Sequence, residues 1–349
     1  MARAKKNGRR ISIVVPAYNA ESTIGAALRS LVAQGPAIER EIIVVDDGST
    51  DRTAAIAADV EGVRVLRQPN AGPAVARNNG AEAATGEIVL FIDADCQASP
   101  DWLTRMLAPF DDARVAGVKG AYRTRQTRLA ARFVQLEYED KYDRMARREF
   151  IDFVDTYSAA FRREIFATSG GYSSEFPTAC AEDVDLSYRL ERAGAKMVFR
   201  PDAIVYHRHP DRFGAYLRKK FRFAMWRVLA VKRNPTKLIS DSHTPQTMKV
   251  QALAAPAVVA LAACSPFIPY AGVASGLLAG AFAASTIPFT IKAFRKDRAA
   301  GALGPPLLFL RGLAQGAGIA VGAVRLLRPA GMRTPATAVV SGASDRSIG

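Results

Sequence analysis

The chain is poor in cysteine and in acid, and one long stretch carries no charge. Only Cys96, Cys180 and Cys264 occur in 349 residues, widely spaced and without a C-x-x-C pair. That argues against a disulfide framework or a zinc site and fits a reducing compartment. Asp and Glu number 33 against 48 Lys and Arg, a formal net charge of +15. Such an excess favours polyanions: nucleic acid, anionic lipid or phosphorylated substrates. Much of it flanks apolar segments, which disfavours nucleic acid and leaves no nucleic-acid partner expected. No G-x-G-x-x-G follows the first expected strand, which argues against a dinucleotide oxidoreductase. Residues 250–291 hold no charged residue. One helix needs about 20 residues to cross the hydrocarbon core. The stretch fits two crossings, with Ser265-Pro266-Phe267-Ile268-Pro269 at the turn; the alternative is a buried soluble hairpin.

What is present begins with alternation. Ile11–Val15, Glu41–Val45, Val63–Leu66, Ile88–Ile92 and Val115–Val118 read as strands, and Thr23–Gln34, Arg52–Asp59, Gly72–Ala84 and Pro100–Leu107 as helices. The spacing predicts an α/β fold with a doubly wound, mainly parallel sheet. The expected organisation is a basic N-terminal arm over 1–10, read as an arm and not a secretion signal, and a catalytic domain over 11–207. A basic-aromatic interfacial segment follows over 208–247, then two transmembrane helices over 248–292. Residues 299–327 form a further apolar stretch, and 328–349 a disordered tail. Residues 208–233 carry nine basic residues and one acid, Asp211, with Phe213, Tyr216, Phe221, Phe223 and Trp226 interleaved. That composition suits an anionic membrane face. Lys292, Arg295, Lys296 and Arg298 flank the hairpin on its other side, so both ends are expected in the cytoplasm. Arg311 interrupts the third apolar stretch. A mid-membrane Arg costs about 2.5–3.5 kcal/mol on insertion scales, so a re-entrant or interfacial helix is favoured there, with a third membrane helix as the alternative.

The chemistry-bearing motifs fall at strand ends. Ile88–Ile92 runs into Asp93-Ala94-Asp95, where open α/β sheets bind ligands. Two carboxylates facing one way suit Mg²⁺ or Mn²⁺ holding a diphosphate; the alternative is a solvated turn. Val15-Pro16-Ala17-Tyr18-Asn19 ends the first strand and Val45-Asp46-Asp47-Gly48-Ser49-Thr50-Asp51 the second. The latter can hold a base or ribose, or cap a helix. Pro69–Gly80 puts backbone N–H groups at a helix start, a natural anion site, with Arg77 one to two turns in. A second acidic cluster, Glu182-Asp183-Val184-Asp185, can supply a general base or favour a helix N-terminus.

In this order, V-P-A-Y-N, V-D-D-G-S-T-D, N-A-G-P-A-V-A-R-N-N-G, D-A-D and A-E-D-V-D-L resemble the family 2 glycosyltransferases of GT-A fold over about residues 10–210. The resemblance implies that Asp47 holds the nucleotide base, helped by Pro16, Ala17, Tyr18 and Asn19 on the donor side. It implies that Asp95 binds the metal, Asp93 the ribose or the metal shell, and that Arg77 approaches the nucleotide. Glu182 and Asp183 match the acceptor-side pair, with Asp183 the base. His207 matches a position that contacts metal or diphosphate in some members. The Q-x-x-R-W of processive members is missing: residues 188–194 read Y-R-L-E-R-A-G, and 220–226 read K-F-R-F-A-M-W. The resulting expectation is an inverting enzyme, anchored in the cytoplasmic membrane as a multi-pass protein. It would move one sugar from a UDP- or GDP-sugar to a lipid-linked acceptor in cell-envelope glycan synthesis. A soluble acceptor, or a non-catalytic nucleotide-sugar-binding role, are the alternatives.

Overall fold

The computed structural model describes residues 9–35, 38–176, 181–235 and 244–327. The expected arm, save its last two residues, and the expected tail lie outside the described residues, as do 236–243 of the interfacial segment.

The N-terminal part alternates as its apolar runs dictate. The elements are β1 (Ile11–Ala17), α1 (Ile24–Val32), β2 (Arg40–Asp46), α2 (Thr53–Ala58), β3 (Val63–Arg67), α3 (Pro73–Ala83), β4 (Ile88–Ile92), β5 (Gln97–Ala98) and α4 (Trp102–Leu107). Then come β6 (Val115–Arg123), α5 (Leu129–Met145), β7 (Ser158–Arg162), α6 (Arg163–Thr168), α7 (Glu182–Arg192) and β8 (Lys196–Tyr206). The eight strands form one sheet in the order β3-β2-β1-β4-β7-β6-β8-β5. Pairings β1–β2, β1–β4, β2–β3 and β6–β8 are parallel. The mainly parallel expectation describes the first half; β7 enters in reverse, antiparallel to β4 and β6, and β5 runs antiparallel to β8. All five residues of β4 are buried, as its uninterrupted apolar run requires of a strand covered on both faces. In register, Ala17 lies opposite Asp46 and Val14 opposite Phe91. The carboxyl ends of β1, β2 and β4 therefore open on one edge, and the acidic motifs gather there.

The C-terminal part is helical: α8 (Phe213–Arg233), α9 (Gln246–Cys264), α10 (Ala271–Lys296), α11 (Arg298–Ala302) and α12 (Gly304–Leu327). Three of these, α9, α10 and α12, are long and apolar enough to cross a membrane by length and composition. Leu253, Val259, Val273, Leu277 and Ile287 point outward from α9 and α10. The third apolar stretch begins in the short α11, breaks at Leu303 and continues as α12, which packs along α8 and α9. A Cβ on Gly318 or Gly322 would meet the Phe221 or Met225 carbonyl of α8. A Cβ on Gly312 would sit 2.8 Å from the Gln251 carbonyl of α9, so small residues set these close approaches.

Ion pairs tie this part to the sheet domain through α5. Glu137 meets Arg311 of α12 at 2.6 Å and Lys220 of α8 at 2.9 Å. Lys292 of α10 bridges Asp140 at 2.9 Å and Asp143 at 2.6 Å, Lys296 meets Glu139 at 2.6 Å, and Arg132 meets Asp297 at 2.6 Å. Arg311 also donates to Gln251 of α9 at 2.6 Å. The charge that interrupts the apolar stretch is thus buried against protein, where pairing offsets its desolvation.

Candidate active site

The loops after β1 and β2 are knitted together. Asn19, with φ of 46°, donates its N–H to Ser49 Oγ at 3.0 Å, and its Oδ1 accepts from the Thr50 N–H at 2.9 Å. Pro16 and Ala17 lie in buried β1, while Tyr18 is exposed at the rim. Asp47 is almost fully engaged. Its Oδ1 accepts from Gln68 Nε2 at 2.7 Å and the Ala71 N–H at 2.8 Å, and its Oδ2 from the Gly72 N–H at 2.9 Å. Gly72 sits at φ +92°, which favours glycine, and so turns the chain into α3. Asp47 therefore holds the donor-side loop itself and keeps a free lone-pair direction only on Oδ2.

Arg77, expected to approach the nucleotide, lies between two carboxylates. Its side chain is 2% exposed, with Nη2 2.7 Å from Asp93 Oδ1 and Nη1 3.2 Å from Glu182 Oε1. Burial opposes its charge, and the two carboxylates more than restore it, so its proton affinity is raised. The guanidinium thus bridges the two acidic motifs, while its Nε is buried without a hydrogen-bond partner among the described residues. Glu182 is buried too and accepts from the Ala181 N–H at 3.1 Å, which makes it a brace more than a reacting group.

Asp183 keeps part of its surface in the cleft, unlike Glu182. Its Oδ1 accepts from the Val184 N–H at 2.8 Å at the start of α7, so the helix-start reading holds beside any catalytic one. Burial raises its proton affinity above the usual carboxylate range, against the Val184 N–H and the charges of Lys141, Arg77 and Lys119.

Across the site, Asp95 Oδ2 lies 3.3 Å from His207 Nδ1. Asp95, Cys96 and His207 bring three potential ligand atoms within 4.8 Å of one another. The His207 ring stacks on Tyr122 at 4.5 Å between centroids, and the residue's backbone N–H donates to the Arg123 carbonyl at 2.9 Å. Its Nδ1 is buried without an aligned hydrogen-bond partner. The 3.3 Å contact with Asp95 is near enough for attraction but lies off the hydrogen-bond axis. Burial pushes the Cys96 thiol up, as do Asp95 and Asp93, so it stays protonated. A carboxylate oxygen and an imidazole nitrogen this close fit Mn²⁺ or Mg²⁺. Burial works against the Asp95 carboxylate, while His207, Cys96 and Lys219 favour it, and the balance lies below the usual range.

Sequence reasoning missed a second set of residues. Beneath the cleft lie Lys119, Lys141 and Asp155, boxed by Tyr138, Tyr142, Phe153 and Tyr157. One signal was available: Lys119 sits inside the otherwise apolar and small run of β6.

The carboxyl edge of the sheet thus gathers the Asp95–His207 pair and the half-buried carboxylate of Asp183. Residues 12–170 match the family model described as glycosyl transferase family 2. The chain is 31% identical over 242 residues to the pre-mycofactocin glycosyltransferase of Mycobacterium tuberculosis, covering 66% of this chain and 49% of that one. It is 38% identical over 124 residues to the uncharacterized glycosyltransferase YibD of Escherichia coli, covering 34% and 36%. The chain thus spans half or less of the length of these two relatives. Among solved structures, the mannosyltransferase PcManGT from Pyrobaculum calidifontis, in complex with GDP-Man and Mn²⁺, shares the fold. Its TM-score is 0.58 at 24% identity, with 92% of this chain and 87% of that chain covered.

Proposed function

We propose that this protein is an inverting glycosyltransferase that moves one sugar from a nucleoside-diphosphate sugar to a lipid-linked acceptor at the cytoplasmic face of a membrane. The observation that carries the reading is the placement of two acidic groups: Asp95 3.3 Å from His207 Nδ1 after β4, and half-buried Asp183 at the start of α7, with Arg77 bridging their neighbours Asp93 and Glu182. Asp95 and His207, with Asp93 behind them, would hold Mn²⁺ or Mg²⁺, which when bound neutralises charge on a departing diphosphate. The GDP-Man and Mn²⁺ held by the Pyrobaculum calidifontis enzyme support this donor class. Pro16, Ala17, Tyr18, Asn19 and Asp47 line the nucleotide side. Asp183 takes the acceptor hydroxyl proton as that oxygen bonds to the anomeric carbon and the bond to the diphosphate oxygen breaks on the opposite face. Attack from the face opposite the departing diphosphate inverts the anomeric centre.

The membrane reading rests on α9 and α10 as a spanning hairpin with its basic ends toward the sheet domain. Such positive flanks favour the cytoplasm. We read α12 as interfacial: Arg311 is paired with Glu137, and its neighbour α8 carries Arg218, Lys219, Lys220, Arg222 and Arg227 along its length. An acceptor held in the bilayer then reaches the cleft beside α8. Polyprenyl phosphate and polyprenyl-diphosphate-linked saccharides are the acceptor classes, in cell-envelope glycan synthesis. The lack of Q-x-x-R-W supports transfer of a single sugar. The experiment is a thermal-shift screen of UDP- and GDP-sugars with Mn²⁺, followed by transfer assays in detergent. Sugar transfer to polyprenyl phosphate or to a polyprenyl-diphosphate-linked saccharide supports the reading. Turnover only on water-soluble acceptors overturns the lipid assignment, and nucleotide binding without transfer or hydrolysis overturns the catalytic one.

A further inference from the structure

The imidazole of His207 is the end of an aromatic stack that runs into the core. It packs on Tyr122 with 4.5 Å between centroids and 18° between planes. Tyr122 in turn stacks on Tyr157 at 16° between planes and meets Tyr138 edge to face at 5.4 Å. Tyr122 is buried in β6, in register with Val205 of β8. Its backbone N–H donates to Tyr142 Oη at 2.8 Å, and Tyr142 Oη lies 2.8 Å from Tyr157 Oη. Lys119 of the same strand donates to Tyr157 Oη at 2.9 Å and contacts the Asp155 carboxylate. The buried lysine and its carboxylate thus pin Tyr157, and through it the ring on which His207 rests.

Other contacts hold the rest of His207. Its backbone N–H continues the β6–β8 pairing onto the Arg123 carbonyl at 2.9 Å, so the strands fix its main chain. His209 meets its ring edge to face, with 5.5 Å between centroids and 77° between planes. His209 is itself stacked on Tyr138 at 5.3 Å, with Nε2 3.0 Å from Gln135 Oε1. The last torsion of a histidine side chain is broad and soft. A ring packed face to face cannot turn about that torsion without driving an edge into its neighbour. The stack therefore holds the imidazole in the plane that puts Nδ1 3.3 Å from Asp95 Oδ2.

We propose that Tyr122 is a positioning residue of the metal site, its ring face fixing the plane of the His207 imidazole so that Nδ1 and Asp95 Oδ2 serve one divalent cation. The inference rests on the reading of His207 as a metal ligand. A ligating histidine is usually oriented by a hydrogen bond to its second ring nitrogen; here a ring face has that task. The flat face is what the role requires, so a phenyl ring can replace the phenol.

The test is calorimetric titration of the full-length protein with Mn²⁺ alone, in detergent, for Tyr122→Leu, Tyr122→Met, Tyr122→Phe and His207→Ala. Pulsed paramagnetic resonance of the bound Mn²⁺ reads the coupling to the imidazole nitrogen in the same samples. Loss of an outer partner weakens a metal site by about 10–100-fold. Tyr122→Leu and Tyr122→Met are expected to bind Mn²⁺ about tenfold more weakly or worse, with the nitrogen coupling reduced or lost. Tyr122→Phe keeps the stack and is expected to bind within about twofold of wild type, with the coupling intact. A purely structural role would lower the melting temperature and leave the affinity and coupling of the folded protein unchanged. Wild-type affinity and coupling in a folded Tyr122→Leu or Tyr122→Met protein therefore overturn the proposal. Tyr122→Phe binding as weakly as His207→Ala overturns it too, and that variant decides the matter if neither smaller side chain folds. Failure of the ligand reading itself looks different: His207→Ala would bind Mn²⁺ as wild type does, and the wild-type protein would show no nitrogen coupling.

Discussion

Arg77 and Glu182, 105 residues apart in sequence, meet at 3.2 Å inside the protein, and the same guanidinium holds Asp93 at 2.7 Å. One side chain on α3 thus ties the donor-side acidic motif to the acceptor-side one and fixes the spacing between them.

Replacing Arg77 with Met leaves Asp93 and Glu182 without their shared cation. Removing one partner of a buried pair costs about 3–5 kcal/mol, so the variant melts well below wild type in detergent. Lys cannot form the two-way fork and restores only part of the loss. Thermal unfolding of both variants checks this; equal melting temperatures for Arg77→Met and wild type would remove the bridge from the account.

Asp183 is held above the usual carboxylate range chiefly by burial. A carboxylate whose folded-state proton affinity exceeds its unfolded value weakens the fold as pH rises through the window between the two. Asp183→Asn is therefore expected to melt higher than wild type at pH 7, with the difference vanishing below about pH 4, the unfolded Asp value. Unfolding scans at both pH values measure it.

EDTA is expected to abolish transfer, and Mn²⁺ or Mg²⁺ to restore it. His207→Ala should weaken Mn²⁺ binding by about tenfold or more, since loss of even a supporting partner costs a metal site that much. Calorimetric titration with Mn²⁺ alone reads this without turnover. Unaltered affinity in His207→Ala would exclude the imidazole as a ligand.

Strands β1, β2, β3, β4 and β6 were legible because each holds an apolar run ended by polar or turn residues, whereas β5 and β8 were not expected. Ile88–Ile92 and Val63–Leu66 needed no adjustment beyond one residue at the latter's end. The reversed β7 was not, since Ser-Ala-Ala-Phe-Arg is neither strongly apolar nor alternating, and only its place between β4 and β6 makes it a strand. Asp93, Asp95, Asp183 and His207 could be named from their motifs and strand-end positions. The engagement of Arg77 could not, because its carboxylate partners lie 16 and 105 residues away. Lys119, Lys141 and Asp155 come from three separate elements and converge only in space. Arg311 announced a charge in an apolar helix, but its partner, Glu137, lies 174 residues away.

That pair yields its own expectation. Glu137→Gln leaves Arg311 and Lys220 without their shared carboxylate and should destabilise by about 3–5 kcal/mol. A Glu137→Leu/Arg311→Leu double variant should lose less than the two single changes added together. A thermal double-mutant cycle decides it; strict additivity would mean that the two side chains do not couple α5 to α12.

The central claim is that the cleft divides into a donor side at Asp95 and His207 and a base at Asp183. The most direct measurement pairs Mn²⁺-dependent nucleotide-sugar binding with sugar transfer in Asp183→Asn. The account predicts donor affinity within about twofold of wild type and transfer slowed by about 10²–10⁴-fold, the usual contribution of a general base. Transfer at the wild-type rate, or loss of donor binding together with transfer, would contradict it.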